Sequence, residues 1–554
     1  MSFLKNNALR FVINTSKKEA FRLIAVTVLN ALGAFLGVYL ALVMRNVINF
    51  AVAGEMQGVT KWAILLVTVV VVEIILFILS RILATQMSAR LEIAFRENVF
   101  SKLLRKEYSA LSSFHSGEVQ NRLFNDVTVV SENVATLLPQ FISLITRLVA
   151  ALVAVYVVDA FFASVILIAS AVLFILARLF KNVLKKTHKD VQAASGEVRA
   201  HTQESVENIL VIKAFGMEDK IEDTEKELHK KHYKKRMVRA FFSVGASAGF
   251  SALMNLGYVY AILWGAYKIL SGDGSFGYGD FVAIMQLIGQ IQTPFASLSG
   301  SLSKYYSIIA SAERLLELAE LPDDIEEQAD TASIYEKMTS ISLSDVSFSY
   351  GDTYVLKNAD IDIEKGKLTL VSGISGIGKS TMIKLLMGVI KPESGEACAV
   401  MGDAKETLSS ATRSLFAYVP QGNLLMSGTI AENLRLAKSD ATDEEIKRAL
   451  EIACADFVNE LQNGIDTRLG ERGSGLSEGQ VQRLAIARAV LFDAPVFLLD
   501  EATSALDEAT ERRVLENIMA LEGKTCVCIS HRSAAREVCD KEIYIENGKI
   551  CERN

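Results

Sequence analysis

The chain has 554 residues, of which 51% are hydrophobic, and its mean hydropathy is +0.29. The formal net charge is −6 and the sequence pI ≈ 5.8, so the chain lacks the basic charge of a nucleic-acid-binding protein. All six cysteines lie in the last third of the chain, which fits a reducing compartment and indicates no disulfide framework. These properties exclude partners such as nucleic acid and exclude a disulfide-rich secreted domain.

Apolar residues are concentrated before position 310, whereas the remainder has the composition of a globular protein. Length alone suggests about two to four domains. The first twenty residues mix polar and basic side chains and lack the short apolar core of a cleavable signal peptide. They predict a short amphipathic helix at the cytoplasmic membrane surface.

Six apolar segments are each long enough to cross a lipid bilayer, whose hydrocarbon core of about 30 Å takes roughly 20 helical residues. An even number of spans returns the chain to its starting side. The loop 185–238 is rich in Lys and Arg, whereas 46–60 and 271–280 contain neither. The positive-inside rule therefore places both termini and the long loops in the cytoplasm. The six segments lie near 21–44, 62–84, 138–158, 161–183, 241–269 and 281–303.

The cytoplasmic loops are predicted to be long helices. Neither Gly nor Pro occurs between Gly58 and Gly117, so one helix can extend from Trp62 to about Tyr108. At 1.5 Å per residue it would measure roughly 70 Å, and about 40 Å would project from the membrane. The same pattern holds for two further stretches, Phe161–Ser195 and Met217–Val244. Such stalks are expected to contact the globular domain that follows.

Two charged residues, Glu73 and Arg147, fall near the middle of predicted spans. Each would cost roughly 2.5–3.5 kcal/mol if it faced lipid. Either they form an ion pair within the helix bundle, or one or both face a water-filled substrate cavity. Pro294 is expected to loosen the sixth span locally. Further polar residues at similar depth suggest helix–helix hydrogen bonds or a polar, weakly charged cavity. They are Asn255, Gln286, Gln290 and Gln292.

A phosphate-binding loop follows the membrane half. The acidic segment 318–337 predicts a linker, and a strand-rich region comes after it. Leu368–Ser372 predicts a strand that runs into G-x-x-x-x-G-K-S and then a helical pattern, which is the context that this motif requires. Backbone N–H groups and the helix N-terminus can hold phosphate, Lys379 adds a positive charge, and the Ser380 hydroxyl can bind Mg²⁺.

A second motif lies between Leu476 and Asp507. A helical pattern ends at an Asp-Ala-Pro sequence, and the apolar run Val496–Leu499 predicts a buried parallel strand. Asp500 and Glu501 follow that strand directly, at the edge of the sheet where ligands bind in open α/β folds. With one of these two acids directed at a metal ion and the other at a water molecule, the pair predicts nucleotide hydrolysis.

The chain resembles an ATP-binding cassette (ABC) transporter over nearly its whole length. The resemblance implies an all-α membrane domain of six transmembrane helices (1–317), a linker (318–337) and an α/β P-loop NTPase nucleotide-binding domain (338–554). It implies an exporter-type half-transporter. The motifs that carry the resemblance are Walker A (373–380), Gln421, an LSxGQ-like signature (476–480), Walker B (496–500), Glu501, the SALD loop (504–507) and His531.

The resemblance implies ATP and Mg²⁺ as ligands and assigns roles to single residues. Tyr350 resembles the aromatic residue that stacks on adenine. Glu501 resembles the general base, and His531 resembles the switch histidine that contacts the γ-phosphate. The resemblance implies that Ser380, Gln421 and Asp500 bind Mg²⁺. It also implies that Gln421 and Lys379 act in catalysis together with Glu501 and His531. Those implied in binding phosphate are Gly373, Ile374, Ser375, Gly376, Ile377, Gly378, Lys379, Ser380 and Thr381.

The signature implies a second subunit. In the family this segment contacts ATP that is bound to the partner's Walker A loop, so Ser477, Gly479 and Gln480 would serve the other copy's nucleotide. The common family signature has Gly where this chain has Glu478. Because a carboxylate near a γ-phosphate is unfavourable, we expect the Glu478 side chain to point away. Complete motifs in one chain favour a homodimer, and a heterodimer is the alternative.

Two loop segments, 117–126 and 207–216, match those that flank the family's coupling helices. We expect them to dock on the nucleotide-binding domains near Gln421. The leading interpretation is a homodimeric ATP-driven exporter in a bacterial plasma membrane. An importer on the same fold and a membrane ATPase that regulates or gates are the alternatives. The substrate stays open between a drug, a lipid, a peptide and a siderophore.

Overall fold

The structure is a computed structural model. It describes residues 2–271, 276–351, 353–422, 425–470, 473–546 and 548–553, so part of the predicted loop 271–280 lies outside the described residues. The chain divides into two compact units. The first unit comprises residues 1–100 and 120–317, and the second comprises 101–119 and 318–554. A short piece between the second and third predicted spans therefore belongs to the unit that contains the nucleotide motifs.

The described residues before position 320 are almost entirely helical. Each of the six predicted spans lies within one long helix. The helices are α1 Ser2–Ser16, α2 Ala20–Val52, α3 Met56–Leu103, α4 Tyr108–Leu111, α5 Ser116–Asn121, α6 Val127–Val158, α7 Ala160–Glu207, α8 Ile209–Phe215, α9 Glu218–Leu270 and α10 Tyr278–Ala319.

Four helical stretches of the described chain are long and apolar enough to cross a membrane, by length and composition alone: Asn7–Val52, Met56–Leu103, Ser116–Val158 and Glu218–Leu270. The predicted spans in α7 and α10 are helical, and their crossing of the bilayer stays a prediction. The long helix predicted from Trp62 to about Tyr108 is observed as α3, which has 48 residues, or about 72 Å. Its projection from the membrane stays a prediction. The other two predicted stalks lie in α7 and α9.

Small residues let the membrane helices approach closely. Ala41 of α2 and Ala151 of α6 are fully buried in one cluster with Leu287 of α10, and small residues at helix contacts are typical of membrane bundles. The helix predicted near the N-terminus is present as α1. Phe11 of α1 packs edge-on against Phe95 of α3, with 5.7 Å between the ring centroids.

Glu73 and Arg147 form no ion pair with each other in the described part of the chain. The Glu73 carboxylate lies beside Gly37 of α2, where an added Cβ would be 3.3 Å from its Oε1 atom. Arg147 Nε is buried without a hydrogen-bond partner. The geometry gives no support to the ion-pair interpretation, since equal depth in two helices does not make their side chains face each other. The cavity interpretation stays a prediction.

A π-helical turn, Arg122–Asp126, joins α5 to α6 and carries buried polar contacts. Asp126 accepts hydrogen bonds from Ser311 Oγ at 2.9 Å and from Arg314 Nε at 2.8 Å. Arg122 donates to Glu317 Oε2 at 2.7 Å. These contacts tie the start of α6 to the end of α10, within the predicted coupling segment 117–126.

The second unit contains two main sheets. One is an antiparallel sheet of four strands in the order β2-β1-β4-β5. The other is a mostly parallel sheet of six strands in the order β12-β11-β3-β10-β9-β6. The strands are β1 Ser340–Tyr350, β2 Thr353–Glu364, β3 Leu368–Gly373, β4 Ser394–Met401, β5 Ala404–Thr407, β6 Phe416–Val419, β7 Gly428–Thr429, β8 Arg468–Leu469, β9 Val496–Asp500, β10 Thr525–Ile529, β11 Lys541–Glu546 and β12 Lys549–Arg553.

Helices pack against the two main sheets, and the first of them lies in the predicted linker. Thr331–Lys337 is helical and is N-capped by Asp330, so that part of 318–337 is ordered structure. The helices are α11 Thr331–Lys337, α12 Lys379–Leu386, α13 Ile430–Arg435, α14 Asp443–Ile452, α15 Glu478–Phe492, α16 Glu508–Met519 and α17 Ser533–Val538.

The central strands are fully buried. Every residue of β9 and of β10 is buried, as expected for parallel strands that are covered on both faces. Cys526 and Cys528 of β10 pack in the core, since both are 0% exposed. Burial raises the pKa of the Cys526 thiol to about 12. The six cysteines are all unpaired.

Candidate nucleotide site

The site lies at one edge of the six-stranded sheet. Strands β3, β10, β9 and β6 are parallel neighbours, so their carboxyl ends meet at the same edge. Asp500 ends β9 and pairs in register with Ile529, which ends β10. Gln421 and His531 each follow a strand end by two residues. Residues separated by more than a hundred positions in the chain are thereby brought together.

Glycines shape the loop between β3 and α12. Gly376 and Gly378 have φ angles of +81° and +115°, a backbone region that side chains disfavour. An added Cβ at Gly378 would also lie 2.5 Å from Val355 Cγ1 on β2. The helix α12 begins at Lys379, so its free N–H groups and positive dipole end face the loop. The sequence predicts this loop followed by a helix N-terminus, and anion binding there stays a prediction.

Lys379 is nearly buried, with 5% of its surface exposed. Its Nζ atom donates to the carbonyl oxygens of Gly373 at 2.8 Å and of Ile374 at 3.1 Å. The same atom lies 3.0 Å from His531 Nε2. Burial lowers the pKa of Lys379, and the nearby charges of Glu501 and Asp500 act in the opposite direction. The ammonium group is held inside the loop.

Ser380 and Asp500 form an oxygen-rich pair. The Ser380 hydroxyl donates to Asp500 Oδ1 at 3.0 Å. Asp500 is 2% exposed, and burial is the main cause of its raised pKa. A hydroxyl and a carboxylate at this distance are hard oxygen donors of the kind that suits Mg²⁺. The residues present therefore fit a magnesium ion.

Glu501, Gln421 and His531 form the other half of the edge. Gln421 Nε2 donates to Glu501 Oε2 at 2.5 Å, and His531 Nε2 lies 3.8 Å from Glu501 Oε1. Glu501 has a φ angle of +50°, and non-glycine residues in this region are concentrated at functional sites. The carboxylate is therefore positioned by its backbone and by the Gln421 amide, and the His531 ring lies nearby.

The signature residues lie at the start of α15. Ser477 caps the helix, since its Oγ accepts from Gln480 N at 3.3 Å while Gln480 Oε1 accepts from Ser477 N at 2.8 Å. Gly479 fits closely, because an added Cβ would be 2.8 Å from Ala505 O. The helix begins at Glu478, directly after this cap. Glu478 is exposed at its first position. None of the hydrogen bonds of Ser477 or Gln480 within the described ranges reaches the Walker A loop.

Tyr350 stands at the end of β1, and its ring is accessible. Its side chain is 53% exposed, and the ring packs edge-on against Phe348 at 5.0 Å between centroids. Strand β2, which pairs with β1, supplies the Val355 that contacts Gly378. One ring face is free to stack on a base, and this role stays a prediction.

Sequence reasoning missed Tyr418. Its hydroxyl lies 3.4 Å from Asp500 Oδ2, and burial followed by the charge of Asp500 raises its pKa. A sequence signal existed, because Tyr418 precedes Gln421 by three positions. Arg532 was also missed. It donates to the carbonyl oxygen of Ser504 at 2.8 Å and so braces the loop after Walker B.

The fold and the site define a membrane-embedded P-loop nucleotide-binding protein. Residues 23–295 match the family of the ABC transporter transmembrane region, and residues 356–504 match the ABC transporter family. The chain is 30% identical to an ATP-dependent lipid A-core flippase of Desulfotalea psychrophila over 83% of this chain and 80% of that protein. It is 27% identical to the uncharacterized ABC transporter ATP-binding protein YfiC of Bacillus subtilis, over 96% and 88% of the two chains.

A solved structure supports the fold. A bacterial Atm1-family ABC exporter with ATP bound superposes with a TM-score of 0.80 at 21% identity, over 96% of this chain and 94% of that one. The chain belongs to the ABC transporter family. It is an ATP-hydrolysing, exporter-type half-transporter in which a helical transmembrane domain precedes an α/β nucleotide-binding domain.

Proposed function

We infer that two copies of this chain form a homodimeric exporter with two shared ATP sites. The observation that carries this proposal is the separation of the site into two groups. Lys379, Ser380, Asp500 and Glu501 gather at one sheet edge, whereas the signature at the start of α15 makes no hydrogen bond to them among the described residues. A second copy completes each site with its own signature.

The residues at the sheet edge bind and orient ATP. The Walker A loop from Gly373 to Thr381 surrounds the phosphates with backbone N–H groups. Lys379 neutralises charge on the β- and γ-phosphates, and Tyr350 stacks on adenine. Ser380, Asp500 and Gln421 hold Mg²⁺, directly or through water. When bound, Mg²⁺ neutralises charge that develops on the phosphate oxygens.

Glu501 acts as the general base. Its carboxylate orients the attacking water and accepts its proton, while the Gln421 amide holds that carboxylate by a hydrogen bond. His531 also contacts the γ-phosphate. Phosphoryl transfer involves little covalent work for the protein, so positioning and electrostatic stabilisation supply most of the rate.

ATP binding closes the dimer and changes the membrane domain. The partner's nucleotide recruits Ser477, Gly479 and Gln480, whose helix N-terminus favours phosphate. Helix α8 lies in the predicted coupling segment 207–216 and is strongly exposed and apolar, with Leu210 79% and Phe215 77% exposed. An apolar helix in this setting supports docking on a nucleotide-binding domain. The long helices then move the membrane spans between inward-open and outward-open states.

Reconstitution in liposomes tests transport and its direction. The protein, oriented with its nucleotide-binding domains outside, is screened for ATPase stimulation by lipids, drugs, peptides and siderophores. A lipid arm is included because one relative is a lipid A-core flippase. ATP-dependent flux into the vesicle lumen is expected, which corresponds to export from a bacterial cell whose cytoplasm contains both termini. Stimulation without flux in any arm would support a regulatory ATPase, and flux in the opposite direction would support an importer.

A further inference from the structure

The two oxygens of the Asp500 carboxylate each face a hydroxyl group. Ser380 Oγ on α12 lies 3.0 Å from Oδ1, and Tyr418 on β6 places its hydroxyl 3.4 Å from Oδ2. The two hydroxyls come from different elements and reach different oxygens of the carboxylate. The carboxylate is therefore contacted from both sides, and its rotation about the Cβ–Cγ bond is restricted.

Tyr418 is itself well positioned. Strand β6 pairs with β9 in parallel, and Tyr418 is in register with Leu498, two residues before Asp500. The side chain is partly buried. Its hydroxyl donates to Asp500 Oδ2.

Removing this donor would affect the carboxylate directly. Asp500 is 2% exposed, so little solvent can replace a lost hydrogen bond. A buried acceptor without a partner is costly, and a carboxylate that is free to rotate presents its metal-binding oxygen less often. Residues that hydrogen-bond a metal ligand typically contribute 10–100-fold to metal affinity.

We propose that Tyr418 is a positioning residue that orients Asp500 so that this carboxylate and the Ser380 hydroxyl together receive Mg²⁺. The inference rests on the proposed role of Asp500 and Ser380 in the magnesium site. Among the described residues, the Tyr418 hydroxyl contacts Asp500. It acts through Asp500 alone, so its contribution is expected in metal affinity and much less in the binding of metal-free nucleotide.

The test compares Tyr418→Phe with the unmodified full-length protein in lipid nanodiscs. Two quantities are measured: the affinity for a fluorescent ATP analogue in EDTA, and the midpoint of the Mg²⁺ titration that strengthens that binding. Mn²⁺ binding, followed by electron paramagnetic resonance, gives a direct metal readout. We expect the metal midpoint to rise about 10-fold while the affinity measured in EDTA changes less than about twofold.

Tyr335→Phe is the matched control. The Tyr335 hydroxyl is also partly buried and hydrogen-bonded, 2.9 Å from Thr525 Oγ1, and it takes no part in the nucleotide site. Its removal should leave the metal midpoint unchanged. A double-mutant cycle then tests the route: in an Asp500→Asn background, Tyr418→Phe should have no further effect on Mn²⁺ binding.

The outcomes separate two failures. If the unmodified protein shows no metal-dependent nucleotide binding, the proposed magnesium site itself is wrong. If it does, and Tyr418→Phe titrates with the same midpoint, only the positioning role is overturned. An equal loss of affinity in EDTA and in Mg²⁺ would also overturn it, because a general structural defect weakens both.

Discussion

Single side chains at the sheet edge have separable tasks, and Glu501 offers the sharpest case. Glu501→Gln keeps a group that can hydrogen-bond Gln421 but cannot accept a proton from water. Loss of a general base typically slows turnover 10²–10⁴-fold, so we expect ATP hydrolysis to fall by at least about 100-fold. Nucleotide affinity should stay close to that of the unmodified protein.

Phosphate release and nucleotide binding are the measurements. Glu508→Gln is the control, because Glu508 lies on α16 and accepts a hydrogen bond from Ser533 outside the site. Near-normal hydrolysis by Glu501→Gln would show that another group is the base.

Glu478 is a second residue with a distinct prediction. Its side chain is exposed at the first position of α15, where a negative charge stabilises a helix by about 0.3–1 kcal/mol. Glu478→Gly should therefore lower thermal stability slightly and leave ATPase activity intact or raise it, since the substitution restores the Gly of the common family signature. ATPase rates and melting curves check both parts. A large loss of activity in a folded variant would assign the carboxylate a role in the reaction.

At the scale of elements, the segment 101–119 is attached to residues 321–324 by a short antiparallel bridge. Lys106, which is 8% exposed, donates to Leu321 O at 2.5 Å and to Asp323 Oδ1 at 2.7 Å. Glu107 N donates to Pro322 O at 2.9 Å. The ion pair between Lys391 and Glu107, at 2.7 Å, adds a contact to the nucleotide-binding domain. This segment is thus an ordered part of the second unit.

Lys106→Met should loosen that attachment. Hydrogen bonds to charged groups contribute about 1.5–3 kcal/mol, and Asp323 is 66% exposed, so its charge is not left buried. We expect faster limited proteolysis between positions 101 and 119 and a lower melting temperature. Lys230→Met is the control, since the Lys230–Glu227 pair is exposed and contributes at most about 1 kcal/mol. Equal proteolysis of both variants would contradict the anchoring role.

At the scale of the whole molecule, the division of each ATP site between two copies can be tested with mixed dimers. One copy carries Lys379→Ala and the other carries Ser477→Ala, and each has a different affinity tag. If the signature serves the partner's nucleotide, a mixed dimer has one doubly defective site and one intact site. Vanadate-trapped nucleotide should therefore recover to about half the level of the unmodified dimer.

The parent homodimers are the controls, because every site in them carries one defect. A mixed dimer that traps no more nucleotide than either parent would argue that the signature acts within its own chain. Failure to recover any doubly tagged complex would argue against a homodimer. Purification on the first tag and then on the second distinguishes the two results, because only a mixed dimer carries both tags.

The sequence by itself determined that a helical membrane domain precedes a nucleotide-binding domain. It also determined the order in which the motifs of the nucleotide site follow one another along the chain. Local patterns carry this information, because hydropathy over twenty residues reports a span and strand–loop–helix spacing reports a phosphate loop. The length of α3 followed from the absence of Gly and Pro. The roles of Lys379, Ser380, Asp500, Glu501 and His531 were predicted from motifs and stay predictions until the variants are measured.

Only the tertiary structure decided which side chains meet. The pairs Gln421–Glu501 and Tyr418–Asp500 are about eighty residues apart in sequence, and they depend on β6 lying beside β9. Strand order is set by packing of buried faces, which no local pattern reports. The same reason explains why the sequence could not show whether the side chains of Glu73 and Arg147 face each other. Their depth could be counted along each helix, whereas the direction that each helix face takes is decided by the neighbouring helices.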